Sequence, residues 1–282
     1  MKRYLLSFLL FASLMLAACA MPTEPLPKEI SARVIFLDVG QGDCTLVRTQ
    51  KGDVLIDAGS EASQERLCKK LKALGVSRLE LAIFTHPDED HIGGADCVLA
   101  QFPAKEIWIT DVEGEGEHYE RFLQSVQACD GALKRIREGA LCRVGDTVFF
   151  AFPLVAGNNL DTNANSLIVK LTCGEATALF TGDAGAEIEA RLVERYGRTH
   201  LDCDLYKVGH HGADTSTSQA LLDAMQPTQA VISCGAGNVF GHPHGATLRA
   251  LKAAGVTVYR TDRMGDVVFD SDGKEWIPQN TD

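Results

Sequence analysis

Thr85-His86-Pro87-Asp88-Glu89-Asp90-His91 is the stretch that decides how this chain is read. It follows the apolar run Leu81–Thr85 and precedes Gly93-Gly94. His86, Asp88, Asp90 and His91 place four metal-ligating side chains within six residues. A loop leaving a strand end can fold such side chains around one point, and the two glycines let the backbone turn sharply into a helix. Imidazole and carboxylate together suit zinc, manganese or iron. A charged surface loop carries such residues singly, whereas four at this spacing beside a buried strand point to a metal site.

Partners for that loop lie far along the chain. Thr181-Gly182-Asp183 ends the run Ala176–Thr181, which would put the Asp183 carboxylate at a sheet end. Alone, Asp183 would read as a helix N-cap. Lys207-Val208-Gly209-His210-His211-Gly212 closes another short strand, and Gly241-His242-Pro243-His244 lies in a glycine-rich loop after Ala230–Cys234. A single histidine is usually structural, but most of the eight in this chain cluster in these strand-end loops.

Outward from these loops the pattern is α/β. Arg33–Val39, Cys44–Thr49 and Asp53–Ala58 are β-rich, with a Lys51-Gly52 turn. Leu67, Leu71 and Leu74 share one face of a helix predicted over Glu61–Leu74, which Gly75 ends. Helices are also predicted over Gly93–Gln101 and His118–Ala128, with a strand at Glu106–Thr110. Strands follow at Leu133–Arg137, Thr147–Pro153, Ser166–Thr172 and Ala176–Thr181. Helices Ala186–Tyr196, Ser218–Met225 and Thr247–Ala254 then alternate with strands Leu205–Val208, Ala230–Cys234 and Val256–Arg260, before a last strand at Asp266–Phe269. Each half has strands first and then alternates β with α, so two sheets can bury their faces together with helices outside. The 282 residues, 45% of them apolar, suffice for one large domain.

The N-terminus reads as an export signal. Lys2 and Arg3 precede the apolar run Leu5–Leu16, too short for the roughly 20 residues of a comfortable span. Leu16-Ala17-Ala18-Cys19 resembles a bacterial lipobox, so Cys19 is expected to carry lipid and to be the sole link to a membrane. The expected division is a signal peptide at 1–19, a proline-bearing tether at 20–30 and a hydrolase domain at 31–282. Loss of Lys2 and Arg3 with the signal deepens the formal charge from −11 to −13. Such a surface disfavours tight nonspecific DNA binding. Eight cysteines remain beyond Cys19, none spaced C-x-x-C; Cys68 with Cys97 and Cys129 with Cys142 are the candidate disulfide pairs.

As a set, H-x-D-x-D-H, T-G-D, H-H-G and H-P-H resemble the metallo-β-lactamase superfamily. Within it the chain is similar to the hydrolase-like domain of ComEC-type competence (DNA-uptake) proteins. Phe36-Leu37-Asp38-Val39-Gly40-Gln41-Gly42-Asp43 resembles that branch's opening F-x-D-V-G-Q-G-D, Asp57-Ala58-Gly59 its D-x-G turn, and Asn163-Ala164-Asn165-Ser166-Leu167 its N-x-x-S-L strand start. The resemblance implies an αββα sandwich of two mixed sheets packed face to face. It also implies a dinuclear centre of zinc or manganese: His86 and Asp88 on one ion, Asp90 and His91 on the other, and Asp183 bridging. His210, His211 or His244 would complete the set, in an order the sequence leaves open. Asp38, Gln41, Asp43, Asp57 and Asn165 are expected to support it through hydrogen bonds. Asp88 stands where the broader superfamily has histidine, and the usual third-segment histidine is replaced around Asn165-Ser166. The site is therefore richer in oxygen, which moves preference toward manganese and away from β-lactam hydrolysis.

The chemistry implied is hydrolysis by a metal-bridging hydroxide, with Asp90 and His91 as the catalytic candidates and Asp90 or a histidine carrying the proton. The expected substrate holds a phosphodiester, in a nucleic acid or a small molecule. A phosphocholine-esterase-like envelope hydrolase and a non-catalytic binding lipoprotein are the alternatives. Nothing in the sequence points to a protein partner.

Overall fold

The first strand is apolar on both faces, and that sets the architecture. In β1 (Ala32–Phe36), Ala32, Val34 and Phe36 enter one core and Ile35 enters another. Side chains alternate along a strand, so one with two apolar faces must lie inside a sandwich. The computed structural model describes residues 26–157 and 161–279. The signal peptide, Cys19 and the first part of the tether lie outside the described residues.

After β1 come β2 (Thr45–Thr49), β3 (Gly52–Ile56), α1 (Gln64–Ala73) and β4 (Leu79–Phe84). Next are α2 (Glu89–Ile92), α3 (Ala95–Gln101), β5 (Glu106–Thr110), α4 (Glu117–Ala128) and β6 (Ala132–Ile136). A meander of β7 (Ala140–Val144), β8 (Thr147–Ala151), β9 (Val169–Cys173) and β10 (Ala176–Phe180) leads to α5 (Ala186–Leu201) and β11 (Leu205–Lys207). The chain ends with α6 (Gln219–Met225), β12 (Gln229–Ile232), α7 (Gly245–Ala253), β13 (Thr257–Arg260), α8 (Thr261–Met264), β14 (Val267–Ser271) and β15 (Ile277–Pro278).

One sheet has the order β15-β14-β1-β2-β3-β4-β5-β6 and the other β13-β12-β11-β10-β9-β8-β7. Both are mixed, and Phe36, Leu81, Trp108, Phe149, Leu171, Phe180 and Phe269 fill the space between them. Emptying one such position, as in Trp108→Ala, costs about 3–5 kcal/mol. Leu67, Leu71, Val98 and Phe122 cover the first sheet's outer face; Ile188, Leu192, Leu222 and Leu251 cover the second's. This is the αββα sandwich expected from the sequence.

Strand direction positions the site. β3 and β4 are parallel, as are β10, β11 and β12, so within each sheet the loops after these strands emerge at one end. Ligand sites of open α/β sheets form at carboxyl ends of this kind. The Leu167 amide donates to the Thr85 carbonyl at 2.8 Å and ties the two loop sets together there.

Several boundaries differ from expectation. β7 was not anticipated: this strand at one edge of its sheet exposes Leu141 and carries Arg143, so its alternation is weak. β9 starts at Val169, since the Leu167 amide pairs with the Thr85 carbonyl of the other sheet's loop rather than within its own sheet. Residues 26–30, assigned to the tether, lie against the domain: Leu26 is buried, and Gln50 Nε2 donates to the carbonyls of Pro27 and Ile30. Among the described residues no helix is long and apolar enough to cross a membrane.

Candidate metal centre

Asp183 stands at the centre. Its loop leaves β10 through Gly182, whose φ is 51° and which lies so close to Ser166 that a Cβ there would come within 2.9 Å of that side chain. The Asp183 amide donates to Ser166 Oγ at 3.0 Å, which fixes the carboxylate. Asp183 Oδ1 lies 3.3 Å from His91 Nε2. Its Oδ2 lies 3.5 Å from His211 Nε2, 3.6 Å from His210 Nε2 and 3.9 Å from His86 Nε2. The two oxygens of one buried carboxylate thus face different imidazoles, which is the disposition of a bridging ligand.

The loop after β4 delivers the first set. His86 is buried, with Nδ1 3.1 Å from Thr85 Oγ1 and Nε2 3.8 Å from Asp88 Oδ2. Asp88 precedes the single turn α2, which presents Asp90 and His91 on its first face. His91 Nδ1 sits 2.9 Å from Asp57 Oδ2, and Asp57 also accepts from the Thr85 amide (2.7 Å) and hydroxyl (2.8 Å). A carboxylate on Nδ1 holds the proton there and leaves Nε2 facing inward, the usual way a metal-ligating histidine is oriented.

The loop after β11 delivers the second set through unusual backbone. His210 and His211 both have positive φ, 47° and 54°. His211 is buried; its Nδ1 lies 3.1 Å from the Ser233 carbonyl and its Nε2 3.0 Å from Asp90 Oδ2. His210 is partly exposed. Asp43 is closer than a supporting role required: Asp43, His91, Asp183 and His211 each offer a ligand atom within 4.8 Å of the others. Its Oδ2, however, is 2.7 Å from Lys207 Nζ, a buried ion pair the sequence reading missed. The signal was present, since a lysine ending the apolar strand Leu205–Lys207 has no solvent to reach.

The Gly241–His244 loop corrects one expectation. His244 turns away: its Nδ1 accepts from the Asp214 amide at 3.1 Å and its Nε2 donates to the Phe240 carbonyl at 3.1 Å. His242, left out of the expected ligands, stands against His210 and His211, with ring centroids 5.8 and 6.2 Å away. Asn238 clamps its backbone on both sides, at 2.7 and 3.0 Å. The spacing H-x-H gave no means of choosing between the two rings.

The remaining expected residues hold the frame. Asp38 Oδ1 accepts from the Gly40 amide at 3.0 Å, and Gln41 Oε1 accepts from the Gly235 amide at 3.2 Å, tying the first loop to the one after β12. Gly42 has φ 128°, and a Cβ on it would meet the Asp90 carbonyl at 2.3 Å, so only glycine allows this loop onto the metal loop. Asn165 is buried, its Nδ2 donating to the Asp161 carbonyl at 2.8 Å.

The donors fit a cation. Asp43 Oδ1, His86 Nε2, His91 Nε2, Asp183 Oδ1 and His211 Nε2 are buried polar atoms that face one another without forming a well-directed hydrogen bond. An unsatisfied buried group costs about 1–3 kcal/mol, so such a cluster needs a ligand. Electrostatics agree. Burial opposes charge on His91, yet Asp183 and Asp57 hold its pKa well above the ordinary value. Burial likewise opposes charge on His211, which Asp183 and Asp43 raise to about 10. Against its own burial, Asp90 falls to about 2 beside His211. Carboxylates that pull protons onto these rings would pull a divalent cation as well, releasing the protons as it binds. His242 goes the other way, to about 4, through burial and the neighbouring imidazoles, so its ring is neutral at pH 7.

One groove borders the cluster at Asp90, and another lies beside Asn165. The first, of about 680 Å³, runs past Gln41, Ser60, Arg66, Asp90 and Phe240. The other, of about 700 Å³, is lined by the carboxylates Asp111, Glu113, Glu115 and Glu138 as well as by Arg137 and Arg195.

Residues 37–236 match the model of the metallo-beta-lactamase superfamily. ComE operon protein 3 of Bacillus subtilis is 30% identical over 254 residues, 84% of this chain and 32% of that protein. Competence protein ComA of Neisseria gonorrhoeae is 34% identical over 243 residues, 86% of this chain and 32% of that protein. The chain therefore spans about a third of the length of these curated relatives. Among solved structures, CmlA, a diiron beta-hydroxylase from Streptomyces venezuelae, superposes with a TM-score of 0.57 at 14% identity, covering 88% of this chain and 55% of that one. The metallo-beta-lactamase fold protein YhfI from Bacillus subtilis gives 0.55 at 12% identity, covering 86% of this chain and all of that one. With its two-sheet sandwich and its Asp/His cluster at the sheet ends, the chain belongs to the metallo-β-lactamase superfamily, and its relatives there are the ComEC-like competence proteins.

Proposed function

We propose that this protein is a metal-dependent phosphodiesterase or nuclease. The observation that carries the reading is Asp183, one buried carboxylate whose oxygens face imidazoles from both halves of the chain. His86 and Asp88 would hold one divalent ion, and Asp90, His91 and His211 a second, with Asp183 shared and His210 and His242 at the rim. When bound, zinc or manganese supplies Lewis acidity and lowers the pKa of water.

The protein's own groups do the rest. Asp57 fixes the tautomer of His91, and Ser166 fixes Asp183. Asp90, ionised and partly exposed toward the groove, is placed to take a proton as the attack proceeds. Arg66, in the groove that holds Asp90, is the cation placed to meet a phosphate oxygen of the diester. The names of the relatives, which speak of competence and of recombination, also favour a nucleic-acid-type diester. The acidic surface favours short or single-stranded substrates over long duplex DNA. Export and lipidation at Cys19 belong to the same reading, and a Cys19→Ser chain is expected to lose radiolabelled palmitate.

Purified protein given Mn²⁺ or Zn²⁺ is expected to cleave bis-p-nitrophenyl phosphate or a short oligonucleotide, with metal content measured on the same preparation. Undiminished cleavage by the Asp90→Ala, His91→Ala double variant would sink the reading.

A further inference from the structure

Away from the metal centre, two thiols among the described residues meet, at Cys68 and Cys97. Cys68 lies in α1 and is buried; Cys97 lies in α3 and is half-buried. Their sulfurs are 2.7 Å apart. That is inside the contact distance of two unbonded sulfur atoms and about 0.7 Å from a bond length. Among the described residues they are the pair of thiols found in contact. The alternative pair suggested by spacing, Cys129 with Cys142, is split by the first sheet: Cys129 packs with the outer helices and Cys142 with the core between the sheets.

We propose that Cys68 and Cys97 form a disulfide that staples α1 to α3 around the metal loop. The segment it closes contains β4 and the whole run His86–His91. α3 begins at Ala95, directly after Gly93 and Gly94, and both glycines are jammed against neighbouring backbone: a Cβ on Gly93 would meet the Glu61 amide nitrogen at 2.4 Å, and one on Gly94 the Ala58 carbonyl at 2.4 Å. A fixed α3 therefore fixes the end of the metal loop against the loop that carries Asp57. Arg66, which lines the groove beside Asp90, sits two residues before Cys68 on the stapled helix.

The oxidant is a disulfide, either oxidised glutathione or a protein dithiol–disulfide carrier. Half-buried Cys97 attacks it, giving a mixed disulfide and one released thiol. Cys68 then attacks Cys97 Sγ and releases the second thiol. The two cysteines lose two electrons and two protons, and the oxidant's disulfide takes up both as two thiols.

The full chain, purified without reductant and treated with oxidised glutathione, is denatured, alkylated and digested. The expected result is one linked Cys68–Cys97 peptide pair, 2 Da lighter than the two thiols, and a Tm about 5–10 °C above that of the reduced chain. Cys97→Ser, at a half-buried position that tolerates the change, should abolish the redox shift in Tm, whereas Cys129→Ser should keep it. Both thiols alkylated after oxidation, either one trapped with glutathione, or a linked pair with an unmoved Tm would overturn the staple. Repeating the measurement in chelator keeps the outcome independent of the metallohydrolase reading.

Discussion

The two halves of the chain reach Asp183 by different means. The first half does it locally: Asp88 has extended backbone, α2 is one ordinary helical turn, and His86, Asp88, Asp90 and His91 arrive together as neighbours in sequence. The second half does it under strain. His210 and His211 adopt left-handed φ, which costs roughly 1–2 kcal/mol for each non-glycine residue. The reward is that adjacent rings diverge, His211 inward and His210 to the rim. What holds that conformation is tertiary: the His210 amide bonded to the Gly182 carbonyl at 3.1 Å, and Lys207 paired with Asp43. A site half written locally and half held by long-range contacts should fail differently when each half is disturbed.

The largest effect is expected where the halves meet. Asp183→Asn keeps the shape but removes the shared charge, so cleavage of the model diester should fall by about 10³-fold or more, on the order of 4 kcal/mol in barrier. A variant retaining a tenth of wild-type activity would dissolve the idea of a single joined centre. Lys207→Met tests the long-range support. It removes the nearer of two cationic partners of buried Asp43, leaving His211 3.2 Å away, and should cost about 3 kcal/mol of stability, read as a lowered urea midpoint. The pair also has a sign in pH. Burial would raise the Asp43 pKa, but Lys207 and His211 hold it below its unfolded value of 3.8. Its contribution is thus present above that value and is lost as pH falls further. Lys207→Met should lose most of its stability at neutral pH and little at acid pH. Asp57→Asn disturbs the local half. It frees the His91 ring and should weaken metal affinity about 10–100-fold in a chelator competition, with a smaller change in urea midpoint.

Legibility followed the same division. The loop His86–His91 was readable because its candidate ligands are contiguous and the strand before it is unbroken. The sandwich was readable because each half has strands first and then alternates β with α, and because the motif set resembles the metallo-β-lactamase superfamily. Asp57 accepts hydrogen bonds from Thr85 and stands against His91, and Asp38 and Gln41 accept from backbone amides as turn and loop ties. The second half was readable only as a set of candidate histidines. Whether a ring points in or out there depends on φ at His210 and His211 and on what Asn238 and Asp214 hold, and no spacing in the sequence encodes these. Lys207 ends an apolar strand, which signals burial, but its pairing was missed because its partner Asp43 is far away in sequence.

The smallest expected effect is the sharpest test of that last point. His242 and His244 share one loop, one residue type and nearly one position, yet only His242 keeps a partnerless buried nitrogen and a ring against those of His210 and His211. His244 has both nitrogens engaged elsewhere, with Asp214 and the Phe240 carbonyl. His242→Ala should therefore lower activity about tenfold, near 1.4 kcal/mol, with little change in Tm. His244→Ala removes two loop hydrogen bonds, so it should cost about 1 kcal/mol of stability and leave activity within about twofold. Measuring activity at saturating metal and Tm on both variants separates the two roles. If the effects came out reversed, the second half of the site would be built from the ring the structure turns outward, and the long-range support assigned to Asn238 would have no object.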